Sequence, residues 1–344
     1  MISGRRIERD EANRLWERDL LELGNWADQV RRRLNPEPRV TFVIDRNINY
    51  TNICISGCWF CAFYRSPGAP DGYVLSWDEL AAKLTELKAY GGSGVLLQGG
   101  LNPELPLAYY LELVSFIRDF GLAVHGFSPP EIWFLAEQNG LSLAELIGRL
   151  GDAGLSSIPG GGAEILVDRV RRQISQQKCN SSQWLEVMAA AHRLGLKTSA
   201  TMMFGHLETR EERLEHLFRI RDLQDDTGGF TAFIPWTFQP GGTHLGGEAL
   251  GAVEYLRTLA ISRLVLDNVP HLQVSWVTQG PKVAQVALKF GADDFGSTML
   301  EENVVAATGV GFRLERHEIE TLIRQSGYEP QVRDHRYNLE ERSQ

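Results

Sequence analysis

Three of the four cysteines in this chain, Cys54, Cys58 and Cys61, lie within eight positions of one another. The fourth, Cys179, lies more than a hundred residues downstream. Clustered thiolates are typical metal ligands, and a 4Fe–4S cluster is normally held by four of them. Three thiolates would leave one iron of such a cluster open to a small molecule. The triplet therefore indicates a metal site, and an iron–sulfur cluster with an open iron is one form of it.

Other uses of these cysteines remain open from the spacing alone. A structural zinc site usually has four cysteine or histidine ligands, and His125, His206 or Cys179 would have to complete it here. The chain would then be a non-catalytic zinc-binding or redox-sensing protein. Disulfide bonds are less favoured, because three close thiols and one distant thiol fit a reducing compartment.

Composition excludes several functional classes. The 344 residues carry a net charge of -9 and a sequence pI near 5.5, and no long run of lysine and arginine indicates binding to nucleic acid. The first residues are charged, which is not typical of a signal peptide, and no apolar run is long enough to span a membrane. We expect a soluble, cytoplasmic protein with a small-molecule substrate and with neither nucleic acid nor membrane as a partner.

Short apolar runs alternate with amphipathic segments of helical period along most of the chain. Such alternation predicts parallel strands joined by right-handed helical crossovers. Eight candidate strands favour a closed barrel over an open sheet. The candidate strands are Val40–Ile44, Gly94–Gln98, Leu122–Phe127, Leu155–Pro159, Lys197–Phe204, Phe230–Trp236, Leu272–Trp276 and Asp293–Gly296.

The predicted fold class is therefore α/β, a (β/α)8 barrel of the TIM type. We expect residues 39–312 to form the barrel. Residues 1–38 are predicted to form an N-terminal helical extension, and residues 313–344 a C-terminal helical segment and tail packed on the barrel. Loops that follow the strands of such a barrel carry its chemistry, and the cysteine triplet follows the first predicted strand.

The motif C-x-x-x-C-x-x-C, with Phe60 just before the last cysteine and a position after the first of eight strands, resembles that of the radical S-adenosylmethionine superfamily. The resemblance implies that Cys54, Cys58 and Cys61 hold a 4Fe–4S cluster. It also implies that S-adenosyl-L-methionine chelates the open iron and that one electron cleaves it to a 5'-deoxyadenosyl radical. Since too few cysteines remain for a second cluster, we expect a separate electron donor such as a flavodoxin or ferredoxin.

Further residues match this family at the ends of other predicted strands. Gln98, Gly99 and Gly100 resemble the glycine-rich turn that receives the amino group of S-adenosylmethionine, and glycine allows close backbone approach there. Glu164 resembles the glutamate that binds the ribose hydroxyls. The cofactor-binding residues implied by the resemblance are Phe60, Gln98, Gly99, Gly100, Ser128 and Glu164.

Longer stretches between Ile44 and Gly309 resemble the cyclic dehypoxanthinyl futalosine synthases of the futalosine route to menaquinone. Aminofutalosine synthases and the deazaflavin synthases of coenzyme F420 biosynthesis are alternatives that share the triplet. Two tryptophan-bearing stretches favour the cyclases, and Ile174–Lys178 departs locally from the expected pattern. The matching stretches are Ile44–Cys54, Ile158–Leu166, Thr201–Thr209, Gly228–Gly241, Ser275–Gly280 and Asp294–Asn303.

The resemblance implies that the radical takes hydrogen from the ribose C4 position of dehypoxanthine futalosine and that the sugar radical closes onto the benzoate ring. One electron and one proton must then leave to restore aromaticity, so an oxidant and a base are both needed, and the oxidised cluster is the candidate electron acceptor. The candidate bases are His206, Asp293 and Asp45, with His125 as a further histidine. The candidate substrate-binding residues are Asn47, Tyr64, Arg65, Gln239, Ser275, Thr278, Gln279 and Glu302, and Arg65 is the predicted partner of the benzoate carboxylate.

Overall fold

The computed structural model describes residues 5–340. The outer ends of the two predicted extensions, residues 1–4 and 341–344, lie outside the described residues. Within them the strands are β1 (Arg39–Val43), β2 (Asp45–Asn49), β3 (Gly94–Gln98), β4 (Ala123–Gly126), β5 (Leu155–Ile158), β6 (Lys197–Phe204), β7 (Phe230–Thr237), β8 (His271–Leu272), β9 (Asp294–Ser297) and β10 (Glu329–Val332).

The helices follow the strands in the alternating order that the sequence predicts. They are α1 (Arg9–Ala12), α2 (Leu20–Leu34), α3 (Trp77–Ala89), α4 (Leu107–Asp119), α5 (Pro129–Asn139), α6 (Leu143–Ala153), α7 (Asp168–Ile174), α8 (Ser181–Arg193), α9 (Arg210–Thr227), α10 (Ala252–Val265), α11 (Trp276–Gln279), α12 (Pro281–Ala287) and α13 (Arg316–Gln325), with 3-10 turns at Asn13–Glu17 and Ala306–Thr308.

Local sequence signals account for where these helices begin and which face they bury. In α3, Ser76 and Glu79 form a capping box, in which each side chain accepts a hydrogen bond from the other residue's backbone N–H. Leu80, Leu84 and Leu87 follow at the spacing of one helical face and are fully buried. Capping boxes also mark the starts of α5, α6, α8 and α9.

The strands close into a barrel of eight. Strands β2 to β8 form one parallel sheet in sequence order. Strand β8 reaches β9 through a parallel bridge between Gln273 and Asp294, and β9 pairs with β1 through Thr41 and Val43. Because β1 and β2 are two halves of one extended segment interrupted at Ile44, the ring is complete. The α/β barrel prediction is confirmed.

Three details of the strand prediction differ from the structure. The first strand continues beyond Ile44 as β2. Asp45 and Asn47 of β2 line the barrel cavity, so this strand is not an apolar run of the kind used to predict the others. The seventh strand is short, because Trp276 begins α11 rather than ending a strand. Strand β10 was not predicted at all; it pairs in parallel with β1, from Arg39↔Glu329 to Phe42↔Val332.

The segments before β1 and after β9 contact the barrel. Helix α2 packs on α10, and Gly24 is needed there because a Cβ atom would lie 2.9 Å from the ring of Phe290. After α13 and β10, the chain turns into the N-terminal end of the barrel, where Arg333 and His335 are buried. No helix within residues 5–340 is both long and apolar enough to cross a lipid bilayer.

Candidate active site

The cysteine loop lies directly after β2 and is held by backbone hydrogen bonds. The N–H of Cys54 donates to the carbonyl oxygen of Arg65 at 2.8 Å, and the N–H of Trp59 donates to that of Ile174 at 2.9 Å. Cys54 and Cys58 are buried, and the Ser56 hydroxyl lies 2.9 and 3.3 Å from their sulfur atoms. Burial raises the pKa of the Cys58 thiol to about 11. The nearby Lys178 ammonium acts in the opposite direction and favours the thiolate.

The Gln98-Gly99-Gly100 turn packs directly against this loop. A Cβ atom on Gly100 would lie 2.1 Å from the Ile53 carbonyl oxygen, so only glycine allows the contact. The Gly99 N–H donates to the buried carboxylate of Glu131, which also accepts the Tyr50 hydroxyl at 2.7 Å. Glu131 thus holds the backbone of the turn, while the Gln98 side chain lines the barrel cavity.

The Ser128 hydroxyl belongs to the same hydrogen-bond network around Glu131. Its backbone N–H and its Oγ both donate to Glu131, at 2.7 and 2.6 Å, in the capping box of α5. Burial raises the pKa of Glu131. Ser128 therefore supports the glycine turn through Glu131, a residue that the sequence analysis did not identify.

Glu164 lies in the loop after β5 and is almost fully buried. Its carboxylate is 3.0 Å from Lys178 Nζ and 3.4 Å from Arg171 Nη1. Burial disfavours the Lys178 ammonium, but Cys58 and Glu164 hold the pKa of Lys178 above its usual range. The ammonium also lies 5.0 Å from the centre of the Phe60 ring. One lysine thus links Glu164 with the cysteine loop.

The barrel encloses a cavity of about 270 Å³ that extends between its two ends. Gln98, Gly161 and Glu164 line the upper end, next to the cysteine loop. Asp45, at the lower end, lies four residues before the last residue of β2, a rise of roughly 13 Å along the strand. The lower end, which we call the floor, is lined by Asp45, Asn47, Arg333, His335 and Tyr337.

Of the four candidate bases, the structure places Asp45 and His125 in the cavity. His125 Nδ1 lies 2.7 Å from the Ser157 hydroxyl, and burial lowers the pKa of His125 well below its usual range. Asp45 lines the floor, accepts a hydrogen bond from the Ser297 hydroxyl, and has its pKa raised to about 6 by burial. Asp293 is bound instead to His271 Nδ1, at 2.5 Å, and does not line the cavity. His206 is also outside it; its Nε2 lies 3.1 Å from the Met203 carbonyl oxygen, and burial lowers its pKa.

The predicted substrate-binding residues divide in the same way. Asn47, Ser275, Thr278 and Glu302 line the cavity. Gln239 instead lines a smaller neighbouring cavity of about 40 Å³ together with Phe60 and Cys61.

The remaining three lie outside both cavities. Gln279 donates to the Thr237 hydroxyl at 2.7 Å. Arg65 pairs with Asp71 at 2.5 Å, and its Nη1 donates to three neighbouring carbonyl oxygens, including that of Tyr64. The Arg65 guanidinium is thus directed at its own loop, and its interaction with the benzoate stays a prediction.

Sequence reasoning missed several residues of this site. Lys178 is the last residue of Ile174–Lys178, which the sequence analysis noted only as a departure from the family pattern. Its proximity to Glu164 could not be predicted from the sequence. Arg333, His335 and Tyr337 belong to the C-terminal tail and match no motif. Within residues 5–340, no three His, Cys, Asp or Glu side chains are grouped as a single metal ion would require.

Two protein-family models match the chain. The model of the radical SAM superfamily matches residues 48–220, which include the cysteine loop, the glycine turn and Glu164. The model described as the CofH/MqnC C-terminal region matches residues 227–344, which include the tail that forms the floor. Together the two models account for both ends of the cavity.

Known proteins resemble the chain over nearly its whole length. It is 44% identical over 342 residues, 98% of this chain and 92% of the relative, to a cyclic dehypoxanthine futalosine synthase of Halalkalibacterium halodurans. It is 39% identical over 320 residues, 91% of this chain and 92% of the relative, to a 5-amino-6-(D-ribitylamino)uracil–L-tyrosine 4-hydroxyphenyl transferase of Archaeoglobus fulgidus. The crystal structure of methylornithine synthase shares the fold, with a TM-score of 0.75, 18% identity and coverage of 96% of this chain and 95% of that one.

Proposed function

The chain belongs to the radical S-adenosylmethionine superfamily, and from that membership we propose that it is the cyclase that converts dehypoxanthine futalosine to cyclic dehypoxanthine futalosine in menaquinone biosynthesis. The superfamily consists of enzymes that use a 4Fe–4S cluster and S-adenosylmethionine. The observation that carries the proposal is the cavity, which joins the motif residues at the upper end to an enclosed interior large enough for a small organic substrate.

The residues at the upper end fit the two groups that the superfamily implies. Cys54, Cys58 and Cys61 supply three thiols on one anchored loop, and sulfur is the usual ligand of iron–sulfur clusters. The glycine turn brings uncrowded backbone to the same place, and Glu164 presents two carboxylate oxygens, which suit adjacent hydroxyls. We propose that these residues hold the cluster and S-adenosylmethionine, which together supply the 5'-deoxyadenosyl radical.

The cavity walls suit a reaction in which a carbon radical must meet only its target. A primary alkyl radical attacks nearby C–H bonds, so water and mobile groups must be kept away and the target held at about 3.5 to 4 Å. Trp236 and Trp276 lie on the cavity wall, and Trp276 is fixed because its Nε1–H donates to the Ser297 carbonyl oxygen at 3.1 Å. Both belong to the stretches that favour a cyclase.

We propose Asp45 as the base that takes the ring proton after cyclisation. Asp45 and His125 are the predicted bases that line the cavity. Burial holds the pKa of His125 well below its usual range, whereas the Asp45 pKa of about 6 is near the value at which a base is efficient at neutral pH. The Ser297 hydroxyl donates to Asp45 Oδ1, and Asp45 Oδ2 lies 3.5 Å from His335 Nε2 without a hydrogen bond. The proposal also includes a separate flavodoxin or ferredoxin as electron donor.

The test is an anaerobic assay with reduced, reconstituted protein, S-adenosylmethionine and dehypoxanthine futalosine. We expect a product two hydrogens lighter than the substrate, together with 5'-deoxyadenosine. Substrate carrying deuterium at the ribose C4 position should transfer that deuterium to 5'-deoxyadenosine. Formation of 5'-deoxyadenosine without the lighter product would contradict the cyclase reaction but leave the superfamily chemistry intact.

A second candidate function follows from the relative named as a transferase, since 39% identity over 91% of the chain is close to the value for the cyclase. In that case the chain would act on 5-amino-6-(D-ribitylamino)uracil and tyrosine. Parallel assays with these two compounds separate the alternatives, and an aminofutalosine synthase would fail in both assays while still carrying the cysteine triplet.

A further inference from the structure

The floor of the cavity contains polar atoms that the protein leaves without partners. Within residues 5–340, Asn47 Oδ1, His335 Nε2 and the Tyr337 hydroxyl are buried and make no hydrogen bond. Asn47 and His335 are 6% and 8% exposed, and all three residues line the cavity. Buried polar groups without partners are rare because each costs about 1–3 kcal/mol. Three such residues lining one cavity indicate a ligand that supplies the missing bonds.

Two of the three come from the segment 333–337, which we call the C-terminal strap. Arg333 anchors it through a buried ion pair with Asp294, at 2.5 Å. The Tyr337 ring is stacked on His271 at 4.1 Å between centroids, and the Arg333 guanidinium lies 3.9 Å from its centre. Tyr337 also has a φ of 66°, which is uncommon for a residue with a side chain. The strap is therefore held firmly in a strained form that places these side chains at the floor.

The His335 ring is fixed in place by its contacts with neighbouring residues. A Cβ atom on Gly94 would lie 2.9 Å from the His335 ring, so glycine makes room for it at the start of β3. On its other side His335 stacks on His125 at 4.9 Å. Its Nε2 lies 3.5 Å from Asp45 Oδ2 without forming a hydrogen bond. Burial lowers the pKa of His335 to about 3, so the ring is neutral.

These groups define the chemistry of what they bind. An amide, a neutral imidazole and a phenol can each pair with a group that both donates and accepts, as a hydroxyl does. A carboxylate is disfavoured, because Asp45 lies beside the site and the Arg333 charge is already paired with Asp294. An apolar group would leave all three atoms unpaired.

We infer that Asn47, His335 and Tyr337 form a subsite for the hydroxyl groups of a sugar or polyol, and that the C-terminal strap thereby contributes directly to substrate binding. The inference rests on the proposed function in that dehypoxanthine futalosine carries such hydroxyls on its ribose.

The test uses Tyr337→Phe, which removes only the unpartnered hydroxyl. The measurement is the dissociation constant of dehypoxanthine futalosine by calorimetry, on anaerobically reconstituted enzyme with S-adenosylmethionine. We expect binding to weaken by about 3- to 10-fold, the value of one hydrogen bond, while the thermal midpoint stays the same or rises. Asn47→Leu should give a loss of similar size.

Tyr328→Phe is the matched control. The Tyr328 hydroxyl is also buried but donates to the Leu288 carbonyl oxygen at 3.2 Å, away from the cavity. Its removal should lower the thermal midpoint and leave the dissociation constant unchanged. A substrate analogue that lacks the contacted ribose hydroxyl should bind wild type and Tyr337→Phe equally. If Tyr337→Phe binds the full substrate as wild type does, or loses stability as Tyr328→Phe does, the subsite is refuted.

The same measurement separates this inference from the proposed function. If wild type fails to bind dehypoxanthine futalosine but binds 5-amino-6-(D-ribitylamino)uracil, the cyclase proposal fails. The subsite is then judged by comparing the dissociation constants of Tyr337→Phe and Tyr328→Phe for 5-amino-6-(D-ribitylamino)uracil, whose ribityl hydroxyls would be the ligands. Binding of neither compound to wild type would contradict both.

Discussion

The upper end of the cavity and its floor are built from different kinds of sequence. At the upper end, loops that follow β2, β3 and β5 bring together cysteine and glycine motifs, each within a few residues of the chain. At the floor, side chains from β2 meet a strap nearly three hundred residues away. The upper end presents thiols and a carboxylate suited to fixed cofactors. The floor presents uncharged polar groups suited to a substrate, beside the Asp45 carboxyl and the Arg333–Asp294 ion pair. Variants can test whether this division holds.

The largest effect is expected at the upper end, from Cys58→Ala. Loss of one thiol removes a ligand that the cluster cannot replace, so formation of 5'-deoxyadenosine should fall by at least about 10³-fold, equivalent to about 4 kcal/mol in the barrier. Liquid chromatography of the reaction mixture measures it. The folded barrel should persist, as judged by circular dichroism.

Cys179→Ala is the control for that variant. Cys179 is buried, and its carbonyl oxygen accepts a hydrogen bond from Arg171 Nη2 at 2.6 Å, a bond that does not need the thiol. We expect 5'-deoxyadenosine formation close to that of wild type. An equal loss in both variants would mean that four cysteines act together, which would favour the zinc interpretation.

At the floor, Arg333→Met should affect stability most. It leaves the buried Asp294 carboxylate without its partner, and breaking one side of a buried ion pair costs about 3–5 kcal/mol. Thermal unfolding measures the loss. In Arg169→Met, which breaks a pair with Glu212 on an exposed surface, the cost should stay below about 1 kcal/mol. Comparable losses in the two variants would show that the strap is not held by its ion pair.

Glu164→Gln tests the assignment of the upper end to S-adenosylmethionine. The variant removes the charge that faces Lys178 and Arg171, and we expect the dissociation constant of S-adenosylmethionine to rise by about 10-fold, or about 1.4 kcal/mol. Glu208→Gln is the matched variant, because Glu208 is equally buried and pairs with Arg213 at 2.8 Å outside the cavity. It should lose stability but keep its affinity for S-adenosylmethionine.

The same comparison explains how much of the molecule was predictable. The barrel, the cysteine loop, the glycine turn and the position of Glu164 follow from local patterns, since each motif stands at the end of an apolar run. The floor could not be predicted from local patterns. Strand β2 is polar along its inner face, and β10 pairs with β1 although the two strands are nearly three hundred residues apart in the sequence. Which of Asp45, His206 and Asp293 faces the cavity depends on side-chain partners such as Ser297 and His271, and sequence spacing does not encode them.

The smallest expected effect concerns the proton held by Asp45. Burial raises the pKa of its carboxyl from 3.8 to about 6, so between pH 5 and pH 7 the folded state binds more protons than the unfolded state. Stability from this group is therefore highest at low pH and falls as pH rises, by about 1 kcal/mol across that interval.

Asp45→Asn cannot ionise, so the difference in unfolding free energy between variant and wild type should shift in the variant's favour by that amount from pH 5 to pH 7. His335, Ser297, Arg333 and Asp294 face the same carboxyl and are present in both proteins, so the difference isolates Asp45. A difference that does not change with pH would place the pKa of Asp45 outside this interval and remove the physical basis for its proposed role as the base.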